Sequence, residues 1–279
     1  MLASRRFVQC DVFSAVPSKG NGLAVVVDAD GLTDDQMQGF AAWTNLAETT
    51  FLTTPTEPEA DYAVRIFTPG REMPFAGHPT LGSCMAWLHT GGVPAEAGVV
   101  RQQCAIGIVE IDVTGPVPAF VAPPTKVIPM ADADLTRYAQ ALDLRPEQVV
   151  RATQLDNGPV WQVLELASAE DVLAIDASRV SWPDFVALSV VGPYPAGAEA
   201  DYEVRNLSPS SGMIEDPITG SLNAAIAQWM RVEGRLTRDL VMSQGTQIGR
   251  VGRVFVRPNA DRVMIGGHVN ILIEGTVDL

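Results

Sequence analysis

His78-Pro79-Thr80-Leu81-Gly82-Ser83 and Asp216-Pro217-Ile218-Thr219-Gly220-Ser221 are two versions of one phrase. Each sets a titratable side chain before a proline and follows it with small or hydroxyl residues. Proline is tolerated in the first turn of a helix, where its missing N–H would have no intrahelical partner, and aspartate is a strong N-cap. On this reading Asp216 caps a helix running from Pro217 to about Val232, and His78 opens one from about Pro79 to His89. Gly82 and Gly220 keep bulk away from the helix starts. Backbone N–H groups of Thr219, Gly220 and Ser221 would then face outward, where an anion binds. Either pair alone is an ordinary helix start. Two of them, one with an imidazole and one with a carboxylate, predict a cleft shared by two similar halves.

Glu48 is the third candidate. It stands at a helix-to-strand junction, Asn45-Leu46-Ala47-Glu48-Thr49-Thr50-Phe51, between Leu46 and Phe51. Partial desolvation there would suit a carboxylate to proton transfer. His89 falls at a helix C-terminus, where a cation is favourable in any case.

The elements that position these groups also come in two copies. Asp61-Tyr62-Ala63-Val64-Arg65-Ile66-Phe67-Thr68-Pro69 returns as Asp201-Tyr202-Glu203-Val204-Arg205-Asn206-Leu207-Ser208-Pro209. Each copy reads as a strand, then a loop, then the proline-led helix. Thr33 caps a helix with Asp34 and Asp35 in its first turn, ending near Thr44-Asn45. Val99 to Thr114 reads as a hairpin broken at Gly107, and Asp156-Asn157-Gly158-Pro159 is the turn of a strand pair from Val149 to Leu166. Leu222-Asn223-Ala224-Ala225-Ile226-Ala227-Gln228-Trp229-Met230 is apolar nearly all round and should be buried on most sides. The expected fold is α+β: two pseudo-symmetric half-barrels, each a curved, mostly antiparallel sheet around a central helix. Pro116, Pro118, Pro123 and Pro124 mark the boundary, giving domains 1–118 and 119–279, with the last strand able to return to the first domain.

Composition narrows the function. The 279 residues carry 19 Lys and Arg against 33 Asp and Glu, a formal charge of −14. Nucleic acid and anionic membranes are poor partners for such a chain. No apolar run approaches the roughly 20 residues that span a bilayer, and the N-terminus has no signal-peptide core, so a cytoplasmic location is expected. Three cysteines without a C-x-x-C pair point to buried free thiols, not to a disulfide framework or zinc site. There is no P-loop, zinc-protease or nucleophile-elbow motif. Neither a metal nor a nucleotide cofactor is expected.

The chain resembles the PhzF (phenazine-biosynthesis-like) family, with a diaminopimelate-epimerase-like fold. The matching segments are Asp11-Val12-Phe13, Gly20-Asn21, Asn45-Leu46-Ala47-Glu48-Thr49, Phe67-Thr68-Pro69, Pro74 to Gly82, Glu215 to Ser221, Ser243-Gln244-Gly245 and Ile248-Gly249-Arg250. The resemblance implies a cofactor-independent isomerase that moves a proton on a small, cyclic, amino-acid-like carboxylate, as trans-2,3-dihydro-3-hydroxyanthranilate isomerase does. It places catalytic roles on Glu48, His78 and Asp216 and substrate binding on Gly77, Thr219, Gly220 and Ser221. It also implies a homodimer. Ala47 departs from the serine frequent before the glutamate, and Asn21-Gly22 from Asn-Pro. The two thiols of the related epimerases are replaced by Ala76 and the Glu215-Asp216 pair. Two alternatives remain at this point: an epimerase that uses carboxylates instead of thiols, or a non-catalytic protein that binds a small ligand.

Overall fold

The computed structural model describes residues 3–179, 186–207 and 214–279. Ser208 and Pro209, which close the second sequence copy, lie outside the described residues. The chain divides into two compact units, Met1–Val121 with Gly266–Leu279, and Ala122–Ile265.

The first unit begins with the antiparallel pair β1 (Ser4–Val12) and β2 (Asn21–Val26). Helix α1 (Asp34–Thr44) crosses to β3 (Glu48–Thr53), which runs parallel to β2. Strand β4 (Tyr62–Phe67) turns back antiparallel on β3 and pairs with the short β5 (Glu72–Met73). Helix α2 (Gly77–His89) then crosses to β6 (Val99–Cys104), parallel to β4, and β7 (Gly107–Asp112) and β8 (Ala119–Val121) follow antiparallel.

The second unit has β9 (Lys126–Pro129), α3 (Asp132–Ala141) and β10 (Val149–Asp156), with β9 and β10 antiparallel. It then repeats the scheme of the first. Strand β11 (Val160–Leu166) is antiparallel to β10, and α4 (Ala169–Ala174) crosses to a parallel β12 (Ala187–Pro193). Strand β13 (Tyr202–Leu207) turns back, α5 (Gly220–Val232) crosses to a parallel β14 (Leu240–Gln244), and β15 (Gly252–Asn259) closes antiparallel, before β16 (Arg262–Gly266). The last strand, β17 (Val269–Asp278), pairs antiparallel with β1 in the first unit. The architecture is the mixed α+β one expected, with mostly antiparallel pairs and two helical crossovers in each unit.

Local chemistry explains where the elements stop. Thr33 and Gln36 form a reciprocal capping box at the start of α1. Asn45 ends that helix in the left-handed conformation, which asparagine adopts more readily than most residues. Helix α5 is buried from Gly220 to Met230, as its all-round apolar sequence requires. Helix α2 packs so closely that a Cβ on Gly82 would stand 2.5 Å from Leu23 Cδ2.

The repeat extends to individual hydrogen bonds. Asp61 and Asp201 occupy the same place in their copies. Each donates its N–H to a carbonyl of the next parallel strand (Arg101 or Val241, both 2.8 Å) and accepts that residue's N–H on its carboxylate (both 2.7 Å). The repeated arginines diverge. Arg65 pairs with Glu72 and Asp34 at the surface, its side chain 31% exposed. Arg205 is buried. It donates to Glu215 at 2.7 and 3.1 Å and to the carbonyls of Val172 and Ile175 at the end of α4. It thereby adds a charged donor to helix-end carbonyls and ties them to the segment that carries Asp216. Removing one member of a buried pair strands the other charge. Arg205→Met should therefore lower unfolding free energy in urea by about 3–5 kcal/mol, and Arg65→Met by about 1 kcal/mol or less. Equal losses at the two positions would contradict this division.

Candidate active site

Helix α2 starts earlier than the proline suggests. Its N-cap is Ala76, in extended conformation, and Gly77 is the first helical residue. His78 is therefore not a cap but the second residue of the first turn, with Pro79 third, still among the positions whose N–H has no helical partner. Two strand starts flank it. Asn45 ends α1, and Leu46 and Ala47 lead into β3 at Glu48, which stands opposite Leu23 in parallel register. Strand β2 begins at Asn21, so Asn21 and Glu48 lie at the same end of neighbouring parallel strands.

These groups meet. Glu48 Oε2 is 3.3 Å from His78 Nε2. Asn21 Nδ2 is 3.4 Å from the other ring nitrogen, Nδ1. The imidazole is 5% exposed and the Glu48 side chain 17%. Burial pushes the His78 imidazole down to about 3, against a smaller opposing pull from the Gly22 backbone. A neighbouring carboxylate ordinarily makes a histidine more basic, but the loss of water wins here. The contact at neutral pH is thus a neutral ring against a carboxyl group. The two atoms are close, but the contact lacks normal hydrogen-bond geometry.

The Asn21 side of this group is held from below. The buried Asp11 carboxylate accepts the N–H groups of Lys19 (3.1 Å) and Gly20 (3.0 Å), which fixes the turn before Asn21. Gly20 must be glycine for reasons of space: a Cβ would sit 2.3 Å from the Val12 carbonyl oxygen. The cysteines take no part. Burial pushes the Cys10 and Cys84 thiols up to about 12, so neither is a nucleophile at neutral pH.

The second unit departs from the expected helix start in two ways. Asp216 is not the N-cap of α5; the N-cap is Thr219, and Pro217 precedes the helix. Asp216 instead bridges back to β13, its N–H donating to the Asn206 carbonyl at 3.0 Å. The Thr219 N–H, expected to meet an anion, donates to Gln244 Oε1 at 3.0 Å. The reason is a long-range competitor. Gln244 on β14 is fully buried and uses both ends of its amide here: Oε1 also accepts from Asn223 Nδ2, and Nε2 donates to the Asp216 carbonyl and Thr219 Oγ1. Gly220 and Ser221 form the first turn of α5 as expected. The Ser221 carbonyl is tied to the β10–β11 turn by Asn157 Nδ2 at 2.8 Å, and Trp161 Nε1 holds Asn157 in turn.

Asn21, Asp11, Gln244, Asn206 and Asn157 were not singled out from sequence as site residues. The turn Gly20-Asn21-Gly22 ahead of an apolar strand was the available signal for the first two. Gln244 lies in a matched segment, yet nothing local ties it to Asp216. Among the described residues no group of three or more His, Cys, Asp or Glu side chains is placed to hold a metal ion. No described helix is long and apolar enough to cross a membrane.

Comparison with known proteins agrees with this architecture. Residues 10–275 match the phenazine biosynthesis-like protein family. The chain is 32% identical to antisense-enhancing sequence 1 of Schizosaccharomyces pombe, over 98% of this chain and 99% of that protein. It is 31% identical to trans-2,3-dihydro-3-hydroxyanthranilate isomerase of Pseudomonas fluorescens, with the same coverage. Among solved structures, the Bacillus anthracis phenazine biosynthesis protein of the PhzF family superposes with a TM-score of 0.83 at 22% identity, covering 99% of both chains.

The buried imidazole has a consequence for stability. From its ordinary value of 6.5 down to about 3, His78 is protonated in the unfolded chain and neutral in the folded one. The unfolded state then binds the extra proton, so stability falls as pH drops through that window, by up to about tenfold in the folding constant per pH unit. His78→Gln should flatten the plot of unfolding free energy against pH between those limits. An unchanged slope would contradict a neutral, buried His78.

Proposed function

The chain belongs to the phenazine biosynthesis-like family and is an isomerase, and we propose that it moves a proton between two carbons of a small, cyclic, amino-acid-like carboxylate. Glu48 takes the proton from an activated C–H and returns it to a different carbon. The bond electrons stay in the substrate and shift by one allylic step, so nothing is oxidised or reduced and no redox cofactor enters the chemistry. His78, neutral and with Nδ1 beside Asn21, sets Nε2 against the Glu48 carboxyl and brings no positive charge to it. Gly77 keeps the turn beside it free of a side chain. The substrate carboxylate is assigned to the N–H groups of Gly220 and Ser221, with Thr219 supporting that turn, and Asp216 is assigned to a polar substituent.

The observation that carries this reading is the 3.3 Å contact of Glu48 with a desolvated, neutral His78 at the start of a buried helix. General acid–base groups are typically worth about 10²–10⁴ in rate. The likeness to trans-2,3-dihydro-3-hydroxyanthranilate isomerase makes that compound the first substrate to supply. In deuterium oxide, wild type should place deuterium at a new carbon, and Glu48→Gln should be slower by about 10²–10⁴. Wild-type turnover in Glu48→Gln would reject Glu48 as the base. Loss of optical rotation in a chiral amino acid, with no positional shift of the double bond, would instead favour the epimerase reading.

The reaction is proposed to run without a cofactor in a homodimer, on the strength of the family likeness. Sedimentation equilibrium should return twice the 29.8 kDa chain mass; the mass of a single chain would set the dimer aside.

A further inference from the structure

Two backbone groups fix the orientation of Gln244. The Thr219 N–H can only donate, and it faces Oε1 at 3.0 Å; the Asp216 carbonyl can only accept, and it faces Nε2 at 3.2 Å. A reversed amide would set N–H against N–H and oxygen against oxygen. With the amide fixed, Nε2 also donates to Thr219 Oγ1 at 3.0 Å, and Asn206 Nδ2 donates to the same oxygen at 3.1 Å. A threonine hydroxyl has two acceptor lone pairs and one proton. With the Asn206 amide placed as it is, both lone pairs are used, and the proton goes to the remaining neighbour, Asp216 Oδ2, with which the hydroxyl is hydrogen-bonded. Gln244 is fully buried, Asn206 3% exposed and Thr219 6%, so bulk water does not compete for these bonds.

We propose that Thr219 is a positioning residue: the buried amides of Asn206 and Gln244 force its proton onto Asp216, which is thereby held as an ionised acceptor for a hydroxyl or ammonium group of the substrate. A hydroxyl that donates to a carboxylate stabilises its charged form. A substituent that meets Asp216 must then bring the proton itself. The assignment to substrate rests on the proposed function; the direction of the Thr219 proton does not.

The test is the protonation of Asp216 in the unliganded protein, followed by carbon NMR after carboxyl-¹³C aspartate labelling, with the signal assigned by Asp216→Asn. Thr219→Val and Thr219→Ala both remove the hydroxyl, so either variant that folds gives the answer. In each, the Asp216 carboxyl should protonate at a higher pH than in wild type, and Thr219→Ser should restore the wild-type midpoint. A midpoint unmoved by loss of the hydroxyl would overturn the inference. Full isomerase activity in Asp216→Asn would overturn only the assignment of Asp216 to substrate and would leave the midpoint shift in place.

Discussion

Water removed from an imidazole decides its charge before any partner does, and the first unit is arranged around that constraint. A histidine beside a carboxylate at the surface would become a cation and form an ion pair. His78 is buried in the first turn of a buried helix, and its charged form is lost despite Glu48 at 3.3 Å. What remains is a neutral ring set against a carboxyl group. Asp11, through Lys19 and Gly20, and Asn45, at the end of α1, fix the two strand starts that hold this geometry.

The second unit builds the same topology around different side chains. Its crossovers and strand order repeat those of the first, and Asp201 reproduces the hydrogen bonds of Asp61. The ionisable groups have nevertheless moved. His78 lies inside its helix, whereas Asp216 stands three residues ahead of the N-cap and is tied to β13. Arg65 lies at the surface and its counterpart Arg205 is buried against Glu215, the neighbour of Asp216. The backbone scheme was kept through the duplication while the charged side chains took up separate roles.

Elements governed by local interactions were legible in the sequence. Thr33 and Gln36 are three residues apart and close their own capping box; Asn45 ends its helix by its own backbone preference; Asn157-Gly158 makes its own turn. The repeated strand phrase announced the duplicated topology, and the all-round apolar run of α5 announced its burial. The helix starts were not legible in detail. Asp216-Pro217 has the local form of a cap, but the competing interaction comes from Gln244 on another strand, and burial of that amide moves the helix start to Thr219. The contact of Asn21 with His78 is equally remote in sequence, because the turn at Gly20 and the helix at Gly77 meet only once the sheet has formed.

The protonation state of His78 itself tests the account most directly. Nitrogen-15 chemical shifts of its ring, followed in the unliganded protein from pH 8 to pH 4, report whether each nitrogen carries a proton. The account predicts a neutral imidazole, with one protonated and one bare nitrogen, throughout that range. A ring that becomes an imidazolium near the ordinary histidine value of 6.5 would contradict it.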